Sequence, residues 1–281
     1  MKEEGLGIVE NSSRRKILKA GAATMAITGA AGLLNIVPGF LASEAKADTA
    51  SHPYGYPTGG LDVEETRLRG YNGYKGVTLS DGKKHGECAF AGFYAIVSQL
   101  QEQVGAPYDA IPLQMLEWGS GGVVGFASLC GALNGACAAI GLICSAADAK
   151  GFISDLLTWY EESPLPTNII TNGTSLPQSV AESNLCHTSV TNWCLASGYA
   201  SGSAERGERC ARLAGDVAAK AVEMLNNGRL GLPTPASKTV CVQCHYKGTN
   251  FAAGKFTRGE MGCLTCHYKM KSVSPNGHRG K

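Results

Sequence analysis

Two copies of a Cys-x-x-Cys-His motif near the carboxyl end constrain this chain more than any other feature. They are Cys241-Val242-Gln243-Cys244-His245 and Cys263-Leu264-Thr265-Cys266-His267. The pattern is typical of c-type haem attachment, in which two thiols form thioethers with the porphyrin and the histidine becomes the proximal iron ligand. We therefore predict two haems c per chain, attached at Cys241, Cys244, Cys263 and Cys266 and ligated by His245 and His267.

The alternative interpretation of these four cysteines is a zinc ribbon. A zinc ribbon does not require a histidine after each second cysteine, and export to an oxidising compartment disfavours it. Only residues 246–262, a glycine-rich stretch, separate the two motifs. Because such a stretch is a poor rigid spacer, the two macrocycles should lie within contact or near-contact distance, which suits rapid electron exchange.

The amino-terminal segment has the features of a twin-arginine signal peptide. Residues 13–19 contain two adjacent arginines, a mildly apolar Ala/Gly-rich run follows, and Ala45-Lys46-Ala47 is a small-x-small cleavage site. We predict export to the periplasm with cleavage after Ala47. An uncleaved membrane anchor is the alternative, but glycines and Pro38 make the run a poor permanent span, and we expect no membrane span in the mature chain.

Charge is divided unevenly along the sequence. Residues 237–281 contain eight Lys or Arg against one Glu, whereas residues 48–236 contain eleven Lys or Arg against eighteen Asp or Glu. The basic segment either neutralises haem propionates and docks on the acidic body, or steers an acidic redox partner. The body does not interleave aromatic and basic residues, so we expect no nucleic-acid partner.

We predict a mostly α-helical fold in three parts: signal peptide 1–47, helical body 48–236 and an irregular dihaem segment 237–281. The body should begin with an irregular arm over residues 48–84, rich in Gly, Pro and Tyr. Apolar spacing and capping residues predict helices near 86–104, 111–118, 123–146, 148–162, 188–198 and 204–225. Residues 163–182 are rich in turn residues, and no strand pairing is convincing.

Seven further cysteines lie in the body: Cys88, Cys130, Cys137, Cys144, Cys186, Cys194 and Cys210. An odd number cannot all form disulfides. Cys130, Cys137 and Cys144 recur every seven residues, about 10.5 Å apart along a helix axis, so at most one or two of them hold one small cluster. The others are expected to be buried apolar thiols.

A metal cluster would therefore draw its ligands from different helices. The preferred set is Cys88, Cys130, Cys194 and Cys210, with Cys186 as a substitute. Twin-arginine transport carries folded proteins, which favours an iron–sulfur cluster assembled before export. Disulfides or simple thiols are the alternative.

The order of these cysteines resembles that of a redox-protein family with an early cysteine, a Cys-Gly-Ala-x-x-Gly segment and late cysteines before an Ala/Val-rich helix. The matching residues are Cys88, Cys130 to Gly135, Cys194 or Cys186, and Cys210. Joined to two haem motifs, this body resembles the split-Soret cytochrome c family over most of the mature chain. That resemblance implies a dimeric periplasmic protein with two stacked bis-histidine haems and a non-haem [2Fe–2S] centre. The extra cysteines leave the ligand set open.

Four histidines remain for the two distal haem positions: His52, His85, His187 and His278. We prefer His278, on a glycine-flanked tail, and His52, on the arm. His85 and His187 are weaker candidates because they lie near Cys88 and Cys186 and could orient cluster ligands instead. Met261 and Met270 are also possible haem ligands.

These features together predict an electron carrier, as a homodimer with redox partner proteins that the sequence does not identify. Six-coordinate irons offer no vacant position for a substrate, so we do not expect an enzyme. The alternatives are a haem reductase of a small oxyanion or peroxide with one open iron, and a redox sensor module.

Overall fold

The structure is a computed structural model that describes residues 51–170, 173–239, 241–255 and 257–267. The predicted signal peptide, Met270 and His278 lie outside these residues. The mostly α-helical class is confirmed. The helices are α1 Val63–Lys75, α2 Cys88–Gln103, α3 Gly131–Ile143, α4 Ala146–Glu162, α5 Cys186–Ser197, α6 Ala204–Asn227, α7 Cys241–His245 and α8 Cys263–Cys266. Short 3-10 helices span Tyr108–Ala110, Leu113–Gly119 and Pro235–Lys238.

Two antiparallel pairs of two-residue strands, which we did not expect, complete the secondary structure. They are β1 (Val77–Thr78) with β2 (Lys84–His85), and β3 (Pro164–Leu165) with β4 (Ser179–Val180). The second pair closes the turn-rich stretch between α4 and α5.

Helices α2 and α3 form the centre of the core and approach each other at backbone distance. The side chains of Phe90, Ile96 and Leu100 on α2 are fully buried. A Cβ placed on Gly135 of α3 would lie 2.1 Å from the carbonyl oxygen of Ala89 on α2. The two helices can lie this close only because Gly135 has no side chain.

Most predicted helices begin and end within a few residues of their expected bounds, but α3 begins later than predicted. We expected it to start near Val123, and it starts at Gly131. Val123, Val124 and Ala127 have left-handed φ values of 66°, 48° and 58°. An α-helix requires negative φ, so these residues form a tight loop before α3 instead.

The arm that we expected to be irregular contains helix α1. The Asp62 side chain caps it by accepting a hydrogen bond from the Glu65 N–H. Its glycines, which made a helix unattractive from sequence alone, serve its packing, Gly70 against α6 and Gly73 against α2. A Cβ placed on Gly70 would lie 2.8 Å from the Cα of Gly215, so this crossing requires glycine on both helices.

A buried carboxylate anchors the chain where it leaves the body. Asp155 of α4 accepts hydrogen bonds from the N–H groups of Gly231, at 2.8 Å, and Leu232, at 3.1 Å. Arg229 lies 3.3 Å from the same carboxylate. These contacts direct the chain after Leu232 back along the body. Among the described residues, no helix combines the length and apolar character needed to cross a membrane.

Candidate cysteine pocket and haem attachment segments

Four cysteines from four different helices line one small cavity in the body. Cys88 begins α2, Cys130 is the residue before α3, Cys186 begins α5 and Cys210 lies in the second turn of α6. The cavity volume is about 10 Å³, and its other lining residues are Ala132, Ser189, Val190, Arg209 and Leu213. The helix arrangement therefore brings together thiols that are far apart in the sequence.

Three of these thiols lie at helix amino termini, where the helix dipole favours negative charge. Backbone N–H groups of Gly121 and Ala132 donate hydrogen bonds to the sulfurs of Cys88 and Cys130. Burial nevertheless raises the pKa of Cys88 well above its ordinary value and the pKa of Cys186 to about 12. The thiols of Cys88 and Cys186 are therefore protonated at neutral pH, and a bound metal would displace their protons.

A buried cation accompanies the thiols. The side chain of Arg209 is 1% exposed, its Nη1 lies 3.9 Å from the Sγ of Cys210, and its Nη2 donates to the Ser189 hydroxyl at 2.8 Å. The Tyr160 hydroxyl donates to the same Ser189 oxygen at 2.7 Å. Within the described part of the chain, no carboxylate pairs with Arg209, and its Nε has no hydrogen-bond partner. Because an uncompensated buried guanidinium is costly, negatively charged sulfur is a fitting counter-charge.

The structure brings together three of the four preferred cluster ligands and separates the fourth. Cys88, Cys130 and Cys210 line the cavity, and Cys186 takes the place of Cys194. Cys186 and Cys194 are eight residues apart on α5, about 12 Å along the helix axis, so one small cavity cannot include both.

Two of the remaining body cysteines, Cys137 and Cys144, pack in or against the hydrophobic core. Cys137 and Cys144 do not line the cavity, and burial raises their pKa values to about 12 and about 11. All eleven cysteines carry free sulfurs in the structure. Cys144 is buried, as expected of a heptad-spaced cysteine outside a cluster, whereas Cys137 is only partly buried.

The four thiols line one cavity, but they do not form a coordination site for a single metal ion. Among the residues that the structure describes, no three His, Cys, Asp or Glu side chains are placed to hold one metal ion. As a donor set, four cysteines without a histidine suit a tetrahedral metal or an iron–sulfur cluster.

Each haem motif forms a short helical turn, α7 or α8. After α7 the chain folds back, with the Thr257 N–H donating to the His245 carbonyl at 3.1 Å and the Lys247 N–H to the Thr257 carbonyl at 3.2 Å. The Nδ1 of His245 lies 3.3 Å from the Gly254 carbonyl oxygen. A backbone carbonyl in this position is the kind of partner that orients a metal-ligating imidazole.

The second haem motif is held against the body by a contact just before its first cysteine and by another between its two cysteines. The Thr265 hydroxyl donates to the Glu182 carbonyl at 2.7 Å. Immediately before Cys263, the Gly262 N–H donates to the Glu161 Oε2 at 3.2 Å. The end of α4 therefore positions the start of α8.

Asn184 links this contact to the cysteine pocket. Its side-chain amide donates to the Glu161 Oε1 at 2.6 Å, and its carbonyl accepts a hydrogen bond from the Cys130 N–H at 2.9 Å. Burial raises the pKa of Glu161 to about 7. We did not predict a role for Asn184 or Glu161. Glu161 and Glu162 are two successive glutamates at a helix end, and in a sequence such residues look solvent-exposed.

The candidate distal histidines lie in different surroundings. The two ring nitrogens of His85 lie 2.8 Å from a Glu117 carboxylate oxygen and 2.9 Å from an Asp81 carboxylate oxygen. Hydrogen bonds to Asp81 and then Glu117 raise the pKa of His85. Haem ligation by His85 would therefore require the loss of one of these contacts. The side chain of His187 is exposed.

His52 packs on the body beside Tyr56, with ring centroids 4.7 Å apart. Burial lowers the pKa of His52, which favours the neutral imidazole that iron ligation requires, and its Nδ1 is buried without a hydrogen-bond partner in the described residues. The assignment of His52 and His278 as distal ligands stays a prediction.

A helical body with a four-thiol pocket, followed by two Cys-x-x-Cys-His motifs, defines a c-type redox protein. Residues 88–224 match the family model described as “Putative redox-active protein (C_GCAxxG_C_C)”. The chain is 33% identical over 276 residues to the split-Soret cytochrome c of Desulfovibrio desulfuricans, covering 92% of this chain and 95% of that protein. It therefore belongs to the split-Soret cytochrome c family.

A solved structure supports the same assignment. It is described as “A novel iron centre in the split-Soret cytochrome c from Desulfovibrio desulfuricans ATCC 27774”. The match has a TM-score of 0.66 at 33% identity and covers 80% of this chain and 94% of that chain.

Two adjacent positions depart from the pattern in the family description, which has Gly-Cys-Ala rather than the Cys-Gly-Ala that we expected of the family. This chain has Cys130-Gly131-Ala132. A Cβ placed on Gly131 would lie 2.4 Å from the Cβ of Cys88 and 2.6 Å from the Gly119 carbonyl oxygen. Position 131 therefore has no room for a side chain, and the thiol is supplied by the preceding residue.

Proposed function

We propose that this protein carries electrons in the periplasm, with two haems c per chain and an iron–sulfur cluster in the cysteine pocket. The observation that carries the cluster proposal is the convergence of four thiols beside Arg209, a buried guanidinium without a carboxylate partner among the described residues. The iron centre in the description of the Desulfovibrio desulfuricans structure supports iron in this chain as well. Bound haem and cluster would supply one-electron redox chemistry.

In this proposal Cys88, Cys130, Cys186 and Cys210 hold the cluster. A [2Fe–2S] cluster fits the donor set because it takes four thiolates. The amino termini of α2, α3 and α5, together with Arg209, would offset the negative charge of those thiolates. The buried, largely apolar surroundings would also protect the site from water.

The proposed haem ligands follow the two motifs. Cys241, Cys244, Cys263 and Cys266 form the thioethers, and His245 and His267 bind the irons on the proximal side. His52 and His278 are the proposed distal ligands. With both axial positions taken, the irons would exchange electrons without binding a substrate, which favours an electron carrier over an enzyme.

Localisation and assembly complete the proposal. The twin-arginine motif and the cytochrome c relative support export to the periplasm, with cleavage after Ala47. We propose a homodimer that exchanges electrons with partner proteins, as the family resemblance implies.

The test uses the mature holoprotein. Mass spectrometry should show a chain that begins at Asp48 and carries two covalent haems. Electron paramagnetic resonance (EPR) should show low-spin haem in the oxidised protein and a cluster signal after reduction, with acid-labile sulfide present. A chain without covalent haem would refute the proposal. Intact haems without sulfide would refute the cluster, and high-spin iron that binds nitrite or carbon monoxide would favour a haem reductase.

A further inference from the structure

We propose that Glu161 takes up a proton when the haem attached at Cys263 and Cys266 is reduced, so that electron uptake at this site is coupled to protonation. This inference rests on the proposed haem attachment. Its basis is the position of the carboxyl group. Glu161 is 2% exposed, and its Oε2 accepts the N–H of Gly262, the residue that directly precedes Cys263. A change of charge at this haem would therefore act on a carboxyl group held beside its attachment point.

Within the part of the chain that the structure describes, the groups around Glu161 leave its charge without a positive partner. On α4 the neighbouring Glu162 adds a second negative charge, which pairs with Lys238. From residues 182–184, the Glu182 N–H donates to the Glu161 carbonyl at 2.9 Å, and the Asn184 amide donates to the carboxylate. No Lys, Arg or His among the described residues forms an ion pair with Glu161.

The described residues of the haem segment do not supply the missing cation either. Glu260, the acidic residue of this segment, accepts a hydrogen bond from the Tyr246 hydroxyl and pairs with Lys247 at 3.5 Å. Its side chain therefore has its own partners. Because burial, rather than a partner, dominates at Glu161, its pKa rises to about 7 and the group titrates near neutral pH.

The coupled step balances in charge and atoms. A one-electron donor outside the chain reduces the iron from Fe(III) to Fe(II), and one proton from solvent converts the Glu161 carboxylate into a neutral carboxyl group. The added negative charge at the haem raises the pKa of Glu161 relative to the oxidised state. Glu161 releases the proton to solvent when the iron is oxidised again. Between the two pKa values, the reduction potential must therefore fall as pH rises.

The experiment is a redox titration of the holoprotein from about pH 5 to about pH 9, with haem absorbance as the signal. In the wild type, each tenfold fall in proton concentration near neutral pH should lower the midpoint potential by up to about 59 mV. Glu161→Gln should abolish this dependence. Glu162→Gln is the matched control. It should keep the dependence but move it to lower pH, because it removes a neighbouring negative charge.

A second variant covers the case in which Glu161→Gln does not bind haem. Asn184→Ala removes a donor to the carboxylate, so it should move the pH-dependent window upward, opposite to Glu162→Gln. The inference would be overturned if the wild-type midpoint potential did not vary with pH, or if Glu161→Gln kept the pH dependence of the potential. It would also be overturned if Glu162→Gln and Asn184→Ala showed this dependence over the same pH range. A wild-type protein without any haem transition would instead refute the proposed function.

Discussion

The Nη1 of Arg209 lies 3.9 Å from the Sγ of Cys210, its neighbour in the sequence. Successive residues on a helix do not face each other, so this approach depends on the long arginine side chain, which Ser189 holds at its other terminal nitrogen. A fixed positive charge therefore lies beside the sulfurs of the cysteine pocket. It should favour thiolates over thiols and stabilise an electron added to a cluster there.

Replacement of Arg209 by Met removes this charge while it keeps an unbranched side chain. We expect the cluster potential to fall on the order of 100 mV, because the negative charge of the reduced cluster is no longer offset. Arg209→Lys, which keeps the charge, should shift the potential less. EPR-monitored redox titration measures the effect, with the haem spectrum as the internal control. An unchanged cluster potential in Arg209→Met would contradict this role.

Cys186 and Cys194, the two cysteines of α5, provide a test variant and a matched control for the proposed cluster ligands. Cys186→Ser should lose the cluster's iron and sulfide because Cys186 lines the cavity. Cys194→Ser should retain both, since Cys194 lies about 12 Å further along the helix. Both variants should keep two covalent haems by mass spectrometry. Loss of sulfide in Cys194→Ser alone would reassign the fourth ligand.

The parts of the site that could be predicted from the sequence are those encoded locally. Each haem motif is a contiguous five-residue pattern that can be recognised from the sequence alone. The apolar periodicity of α2, α4 and α6 predicts these helices. The choice between Cys186 and Cys194 is not local. It depends on the loop before α3, where the Ser128 carbonyl accepts the Cys186 N–H at 2.7 Å. Left-handed φ at Val123 and Val124 shapes that loop, and these residue types do not predict it.

Burial of charged residues is the other feature that the sequence does not reveal. Arg209 and Glu161 lie on helices beside other charged residues, so each looks solvent-exposed in the sequence. The structure buries both side chains, because α5 covers Arg209 and the haem segment covers Glu161. Such tertiary contacts join elements that are distant along the chain, and helical periodicity carries no information about them.

The crossing of α1 and α6 gives a stability prediction. A Cβ on Gly70 would lie 2.8 Å from the Gly215 Cα and 3.0 Å from the Ala214 carbonyl oxygen. These are backbone atoms, so Gly70→Ala would force the helices apart, at a cost of about 1–3 kcal/mol. Gly207→Ala is the control on α6. A Cβ there meets nothing within 4 Å, and it should stabilise the helix by about 0.5–1 kcal/mol.

Thermal unfolding of the holoprotein, followed by circular dichroism, measures both glycine variants. Gly70→Ala should lower the midpoint, and Gly207→Ala should leave it unchanged or raise it. Equal midpoints for Gly70→Ala and the wild type would show that the two helices can separate without loss of stability.

The contacts of His85 predict a pH-dependent stability. Asp81 and Glu117 raise its pKa above the ordinary value of 6.5. The stabilisation by its protonated form is therefore fully present below that ordinary value, and it is lost as pH rises through the higher folded-state pKa. His85→Gln should consequently lower the thermal midpoint more at about pH 6 than at about pH 9. His187→Gln, at an exposed position, should show no such difference.

The same variant tests His85 as a haem ligand. Because carboxylates occupy both ring nitrogens, His85→Gln should retain the haem absorbance spectrum and the haem midpoint potentials of the wild type. A His85→Gln protein with high-spin haem or a raised potential would show that the imidazole leaves Asp81 or Glu117 to bind iron. In that case the pH dependence of the thermal midpoint would report haem ligation rather than the two ion pairs.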